Sequence, residues 1–508
     1  MAETSTIFGF MKYVSATDIL SDFKKTVDSH FVNSLTHSCI ECVFLYIFYK
    51  TLRISKELFC LNMLFVYKYT VTWRILMNKF KHMKKMLKQC IHQLDESSSL
   101  FVVNPEKDFT RKRKHLFGNT LMNVLLLEGG SLKDELYKLF GYNLDTPTVS
   151  SFVQARDKIR PDAFHTLFNL FNERTRKPKL YKGYRLLAVD GSTLPITSEI
   201  KDKKTTIQKV NNSDKPFSAF HLNTSYDILE YTYDDIVLQG QAVHDEREAL
   251  NKIVERYKGD KAIFIADRGY ESINSFEKIK LLGDKYLVRV KDIHSTGMLR
   301  SFGPFPDDEF DIQVKRTLTT KQTNEIKAHP EIYKFVPKNQ RFDCFDKTSF
   351  YDFECRVVRF KITEDTYECI VTNLDKDEFS MQDIKELYHL RWEIETSYRE
   401  LKYDLDLNTL HSKKRNLIEQ EIYAKMLLYN FCSRITNGID IAKRNRKYEY
   451  QLNFVRAFHI IREHLKRYKV SSYICDVIAK EILPVRRNRQ NKRKLKPKAP
   501  VSFNYRFD

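Results

Sequence analysis

Three acidic residues, Asp190, Asp267 and Glu395, stand out by what surrounds them. Asp190 ends the apolar run of LLAVDGS, and Asp267 ends that of AIFIADRGY. Both runs read as buried strands, the first closed by a turn at Gly191. Both aspartates are therefore expected at strand carboxyl ends, where α/β sheets bind ligands. Glu395 lies in YHLRWEIETSYRELK (Tyr388–Lys402), which reads as part of a long helix. Such carboxylates suit a hard cation like Mg2+, which takes oxygen ligands and keeps several waters. Two ions about 3.5–4 Å apart serve phosphodiester chemistry, one activating the attacking oxygen and the other stabilising the leaving oxygen. In that arrangement Asp190 bridges the ions, and Asp267 and Glu395 each complete one site.

The helix around Glu395 carries a second signal. At about 100° per residue, Tyr388, Arg391, Glu395 and Lys402 share one face about 60° wide. An apolar stripe of Leu387, Leu390, Ile394, Leu401 and Leu405 runs beside it. A plain alternative is a solvated face with an i,i+4 ion pair between Arg391 and Glu395. That alternative leaves the tyrosine unexplained, and the apolar stripe turns the face partly inward. The wall of a cleft is the better reading. There Tyr388, Arg391 and Lys402 would meet the DNA backbone beside the reacting phosphate. Taken singly, each acid is more ordinary: an aspartate before glycine often caps a turn, and a helical glutamate often forms a surface ion pair. The coincidence of three acids on suitable elements in a suitable order carries the inference.

The elements that would position these residues follow along the chain. Between Tyr184 and Lys291 the order is three strands, helix, strand, helix, strand, which matches a ribonuclease-H-like core of the α/β class. Residues 292–378 break that rhythm with alternating, β-rich segments such as DFECRVVRFKIT and read as a β insertion. The helix with Glu395 follows within 379–410, and 411–508 is helical and basic. Upstream, 77–180 is basic and helical. It has two helices broken at Gly129–Gly130, the second capped by Ser131, and resembles a helix-turn-helix DNA-binding region. Residues 1–76 differ in texture. They read either as an extension before a functional start near Met77 or as an extra helical domain.

Composition sets the outer limits. The chain has 508 residues, 42% apolar and 30% charged, which is the profile of a globular protein with a large core. Lys and Arg number 86 against 66 Asp and Glu, an excess of 20 that favours a polyanionic partner such as nucleic acid. Eight Lys or Arg fall between Pro484 and Lys498 with no acid among them, as in an arm that contacts phosphates. The nine cysteines are scattered, and only Cys39 and Cys42 form a CxxC, so structural disulfides and a zinc site are not expected. Cys39–Tyr49 is too short to span a membrane, and Phe59–Met77 is interrupted by Lys68 and Arg74, so no membrane partner is expected.

The spacing Y-x2-R-x3-E-x6-K, together with LLAVDGS and IADRGY, resembles the signature of prokaryotic transposases of the insertion-sequence-four family. The resemblance runs from about Asp108 to the C-terminus. It implies that Asp190, Asp267 and Glu395 form a metal-binding DDE triad using two Mg2+ ions, with Mn2+ able to substitute. It also implies that Tyr388, Arg391 and Lys402 contact DNA at the transposon end, and that 292–378 is the family's β insertion. The implied activity is cut-and-paste DNA transposition of an insertion sequence. It proceeds by phosphodiester hydrolysis and strand transfer at terminal inverted repeats, in a homodimer that synapses two ends in the prokaryotic cytoplasm. Two rivals remain: a relic that binds transposon ends without cutting, and a ribonuclease-H-like nuclease without transposition. The second would need neither the Tyr/Arg/Lys stripe nor a large β insertion.

Overall fold

The computed structural model describes residues 79–485 apart from 112–113, 197–202, 208–216, 346, 365, 440, 442–447 and 468–473. The extension 1–76, the start near Met77, Cys39 and Cys42, the two apolar stretches and all but the start of the basic tail lie outside these residues. Among them, no helix is long and apolar enough to cross a membrane. The six cysteines there are free.

The centre is a mixed sheet of ten strands. Its first strand, β1 (Arg185–Ile196), carries Leu186–Val189 fully buried, a continuous apolar run because both faces of the sheet are covered. Strands β2 (Thr206–Ile207), β3 (Phe217–Asp227) and β4 (Thr232–Gly240) build an antiparallel meander on one side of it. On the other side lie β5 (Ala262–Ala266) and β6 (Lys285–Val290), both parallel to β1. Strands β7 (Phe310–Thr319), β8 (Tyr333–Phe335), β9 (Phe350–Thr363) and β10 (Thr366–Thr372) come from the β-rich segment 292–378. They extend the same sheet: β10 pairs antiparallel with β6, from Cys369↔Val290 to Thr372↔Leu287, and the order runs β2-β3-β1-β5-β6-β10-β9-β7-β8, with β4 on β3.

The expected turn at Gly191 is absent. β1 continues through it to Ile196, because β3 goes on pairing as far as Ile196↔Ser218. The parallel ladder with β5 stops earlier, at Val189↔Ala266. Asp190 therefore sits where β1 loses one neighbour and keeps the other.

Helices cover this sheet. The helix through 79–96 (α1) is followed by α2 (Phe117–Leu125), α3 (Leu132–Leu139), α4 (Val149–Asp157) and α5 (Pro161–Thr175). Ser131 caps α3 by accepting from Asp134 N, so the break at Gly129–Gly130 falls where the sequence places it. Next come α6 (Glu246–Arg256), α7 (Ile273–Leu281), α8 (Asn324–Ala328), α9 (Met381–Leu390), α10 (Trp392–Arg399) and α11 (Arg415–Thr436). Helix α11 is the hub. Its Asn430 receives Tyr233 N at 2.8 Å and donates to Asn172 of α5 at 2.8 Å. Its Glu421 meets the fully buried Arg156 of α4 at 2.8 Å. The helices upstream of β1 thus pack onto the same core as the sheet.

The stretch expected as one long helix is three pieces. Ser380 and Asp383 form a capping box that starts α9, the chain turns at Arg391, and α10 gives way to a π turn at Glu400–Asp404. A π turn holds more residues per turn than an α-helix, so the regular angular spacing does not reach Lys402.

Candidate active site

Asp190 and Asp267 each lie one residue beyond Val189↔Ala266, the last pair between the parallel strands β1 and β5. Asp267 leaves β5 and caps a 3-10 turn (Arg268–Tyr270) by accepting from Gly269 N at 2.9 Å. Glu395 approaches from α10. Three bonds to β1 hold that helix and the π turn that follows it. Tyr398 Oη donates to the carbonyl oxygen of Asp190 at 2.7 Å, and Lys402 Nζ donates to Ser192 Oγ at 2.6 Å and Thr193 O at 2.8 Å. Below them Thr224 Oγ1 and Tyr398 Oη are 2.8 Å apart, and Tyr233 Oη reaches Ser397 Oγ at 2.8 Å. The glutamate-bearing helix is thus fixed to β1, β3 and β4 by buried hydroxyls.

The electrostatics join the three acids. Burial pushes the Asp190 carboxyl up to about 7; the charges of Asp267 and Glu395 push the same way, while Arg391 and the Gly191 N–H oppose them. Arg391, with its side chain 6% exposed, bonds Glu395 Oε1 at 3.0 Å. Burial works against its charge, but Tyr388, Asp190 and Glu395 hold its pKa above the ordinary arginine value. The i,i+4 pair therefore exists, yet it is no solvated surface pair: the arginine supplies the positive charge of a carboxylate cluster. Tyr388 is buried behind it, with the guanidinium 5.5 Å from its ring centre and also 5.5 Å from that of Trp392. Of the four stripe residues, Arg391 and Glu395 face Asp190, Lys402 clasps β1, and Tyr388 backs the arginine.

Residues 181–431 match the family model of the transposase DDE domain. The IS4 transposase InsG of Escherichia coli K12 is 22% identical over 291 residues, 55% of this chain and 59% of its own length. A protein named as a transposase of insertion sequence IS4SA from Synechocystis PCC 6803 is 22% identical over 333 residues, 64% of this chain and 82% of its own. Residues 181–431 are a DDE transposase domain. Among solved structures, the piggyBac transposase synaptic complex with hairpin DNA superposes with a TM-score of 0.39 at 10% identity. That overlap covers 82% of this chain and 87% of that one, too loose a likeness to transfer detail.

Within the DDE domain, the donor set suits a divalent cation. All three acids offer hard oxygens, and a dication would offset the burial, and the smaller repulsion from Asp267 and Glu395, that raise Asp190. Among the described residues no three His, Cys, Asp or Glu side chains converge on one metal position. Arg268, the residue after Asp267, lines a cavity of about 370 Å³ together with Arg289, Lys291, Asp292, Tyr367 and Glu368, among others. Arg289 is paired with Glu368 at 3.4 Å, so Arg268 and Lys291 supply most of its accessible positive charge.

Sequence reasoning missed Tyr398, His221 and Glu246. Tyr398 falls among buried helix positions and looks like core. Glu246 opens α6 and looks like an ordinary first-turn acid. His221 lies mid-strand in β3. Only the fold brings them beside the aspartates.

Proposed function

We propose that the chain is a DDE transposase that cuts and joins DNA at the terminal inverted repeats of an insertion sequence. The observation that supports this reading is that Asp190 and Asp267 each follow the last β1–β5 pair, Val189↔Ala266, while Tyr398 and Lys402 tie the segment carrying Glu395 to β1. The strand order β4-β3-β1-β5-β6 supports the ribonuclease-H-like description of this core.

Asp190, Asp267 and Glu395 would hold two Mg2+ ions, which supply Lewis-acid activation of the attacking oxygen and stabilisation of the leaving oxygen. Arg391 keeps Glu395 turned toward Asp190 and balances the carboxylate charge. The buried hydroxyls under α10 keep the glutamate from drifting, which matters because misplacement by an ångström is costly in rate. Arg268 and Lys291 bind phosphates of the strand that passes Asp267, so the scissile bond meets the acids in register. Hydrolysis at the element's end leaves a 3′-hydroxyl and a 5′-phosphate, and attack of that 3′-oxygen on a target phosphodiester displaces the target's own 3′-oxygen, which departs as a hydroxyl, and joins the two DNAs. The excess of 20 positive charges suits a chain that holds double-stranded ends and target together. A homodimer in the prokaryotic cytoplasm, synapsing two ends, completes the reading.

The test is cleavage of a labelled duplex carrying the element's own ends, with Mg2+, by wild type and Glu395→Ala. Cleavage by the wild type, lost in the variant while binding persists, supports a transposase. Binding without cleavage by either protein would point to a relic that only holds transposon ends.

A further inference from the structure

Both motif aspartates are followed by glycines, and the structure gives the two glycines one common reason. A Cβ on Gly191 would collide with His221 Nε2, and it would lie 3.1 Å from Asn223 Oδ1. A Cβ on Gly269 would collide with Glu246 Oε2, and it would lie 3.1 Å from Asp267 Oδ1. His221 and Glu246 are themselves partners, with Nε2 and Oε1 3.2 Å apart. One side-chain pair therefore fills the space beside both aspartate segments and touches each where it lacks a side chain.

The pair is built rather than incidental. His221 is 6% exposed, its ring packs on His244 with centroids 4.5 Å apart, and neither ring nitrogen makes a hydrogen bond among the described residues, so that Nε2 meets Glu246 as an ion-pair contact. The contact with His221 and the charges of His221 and His244 hold the Glu246 carboxyl below its ordinary value. Glu246 is therefore an anion, with its side chain 31% exposed. Asp245 already caps α6 by accepting from Arg247 N and Glu248 N, so helix capping does not account for Glu246. The negative charges of Glu246 and Asp267 both act on the buried Tyr270, whose hydroxyl bonds Asn223 beside Gly191.

We propose that Glu246, oriented by His221, is a positioning carboxylate of the metal centre. It stands beside Asp267 outside the ion's own ligand shell and strengthens the field that holds a divalent cation. This rests on the reading of Asp190, Asp267 and Glu395 as metal ligands. It adds a fourth acid, beside the Asp267 segment. Carboxylates placed around a metal site in this way typically change affinity 10- to 100-fold when removed.

The experiment is calorimetric titration of the full-length protein with Mn2+, in wild type, Glu246→Gln and Asp190→Asn, with each unfolding temperature measured in EDTA. The expected result is binding by the wild type, about tenfold or more weaker binding by Glu246→Gln at an unchanged unfolding temperature, and abolished binding by Asp190→Asn. Wild-type affinity in Glu246→Gln overturns the inference. So does a weakened affinity that comes with a lower unfolding temperature in EDTA, since that marks a purely structural role. If the wild type binds no Mn2+, or Asp190→Asn binds as the wild type does, the assignment of the three acids fails and this inference with it.

Discussion

The phenol of Tyr398 donates to the main-chain carbonyl of Asp190 at 2.7 Å, so the helix that carries the third acid is bonded to the residue that carries the first. Substituting Phe keeps the ring and removes the bond, leaving the Asp190 carbonyl and Thr224 without it. Tyr398→Phe should cost about 1–2 kcal/mol in urea unfolding. It should also slow cleavage about tenfold or more with little change in DNA affinity. A variant with normal stability and normal cleavage would refute the role given to this bond.

Arg391 stands among carboxylates that repel one another. Arg391→Met should destabilise the protein in EDTA by about 2 kcal/mol, less than a fully buried pair because Glu395 is 36% exposed. Mg2+ should restore most of that loss by taking over the counter-charge. Thermal unfolding in EDTA and in Mg2+ distinguishes the cases, and an equal loss in both would show that Arg391 acts by packing alone.

His411 offers a pH test away from the cleft. It lies between Glu135 at 3.2 Å and Glu421 at 3.1 Å. Burial opposes its charge, but the two glutamates raise its pKa from 6.5 to about 9. A raised histidine stabilises fully below its unfolded value near 6.5, and the contribution disappears as pH rises through about 9. The full effect is on the order of 3 kcal/mol. Urea midpoints for the wild type should fall between pH 7 and 9.5, and His411→Gln should flatten that fall. Parallel pH curves for the two proteins would contradict the charged-histidine account.

The cavity lined by Arg268 and Lys291 should report on phosphate contacts. Arg268→Ala and Lys291→Ala should each weaken DNA binding evenly across sequences and lower the slope of log K against log salt by about 1. Fluorescence anisotropy at several salt concentrations measures this. An unchanged slope in both variants would remove the cavity from the DNA path.

Much of the site was legible because its parts are local. The runs before Asp190 and Asp267 are apolar enough to read as buried strands, and the four-residue stripe has helical spacing. What was not legible depends on partners distant in sequence. β1 runs past Gly191 because β3, some thirty residues on, keeps pairing with it. The segment 292–378 reads as β-rich, but alternation cannot reveal that β10 will pair with β6. Tyr398, His221 and Glu246 are unremarkable in their own windows and acquire meaning only where the strands meet the helix. The break at Arg391 and the π turn after Arg399 were hidden because helix formers continue through both.

The pairing of β10 with β6 also has a mechanical side. Hydrogen bonds between antiparallel strands that are pulled along their length carry load together, whereas a hinged appendage gives way at its linker. A load on the β7–β10 side would pass through this ladder to β6, and from there to β5 and β1.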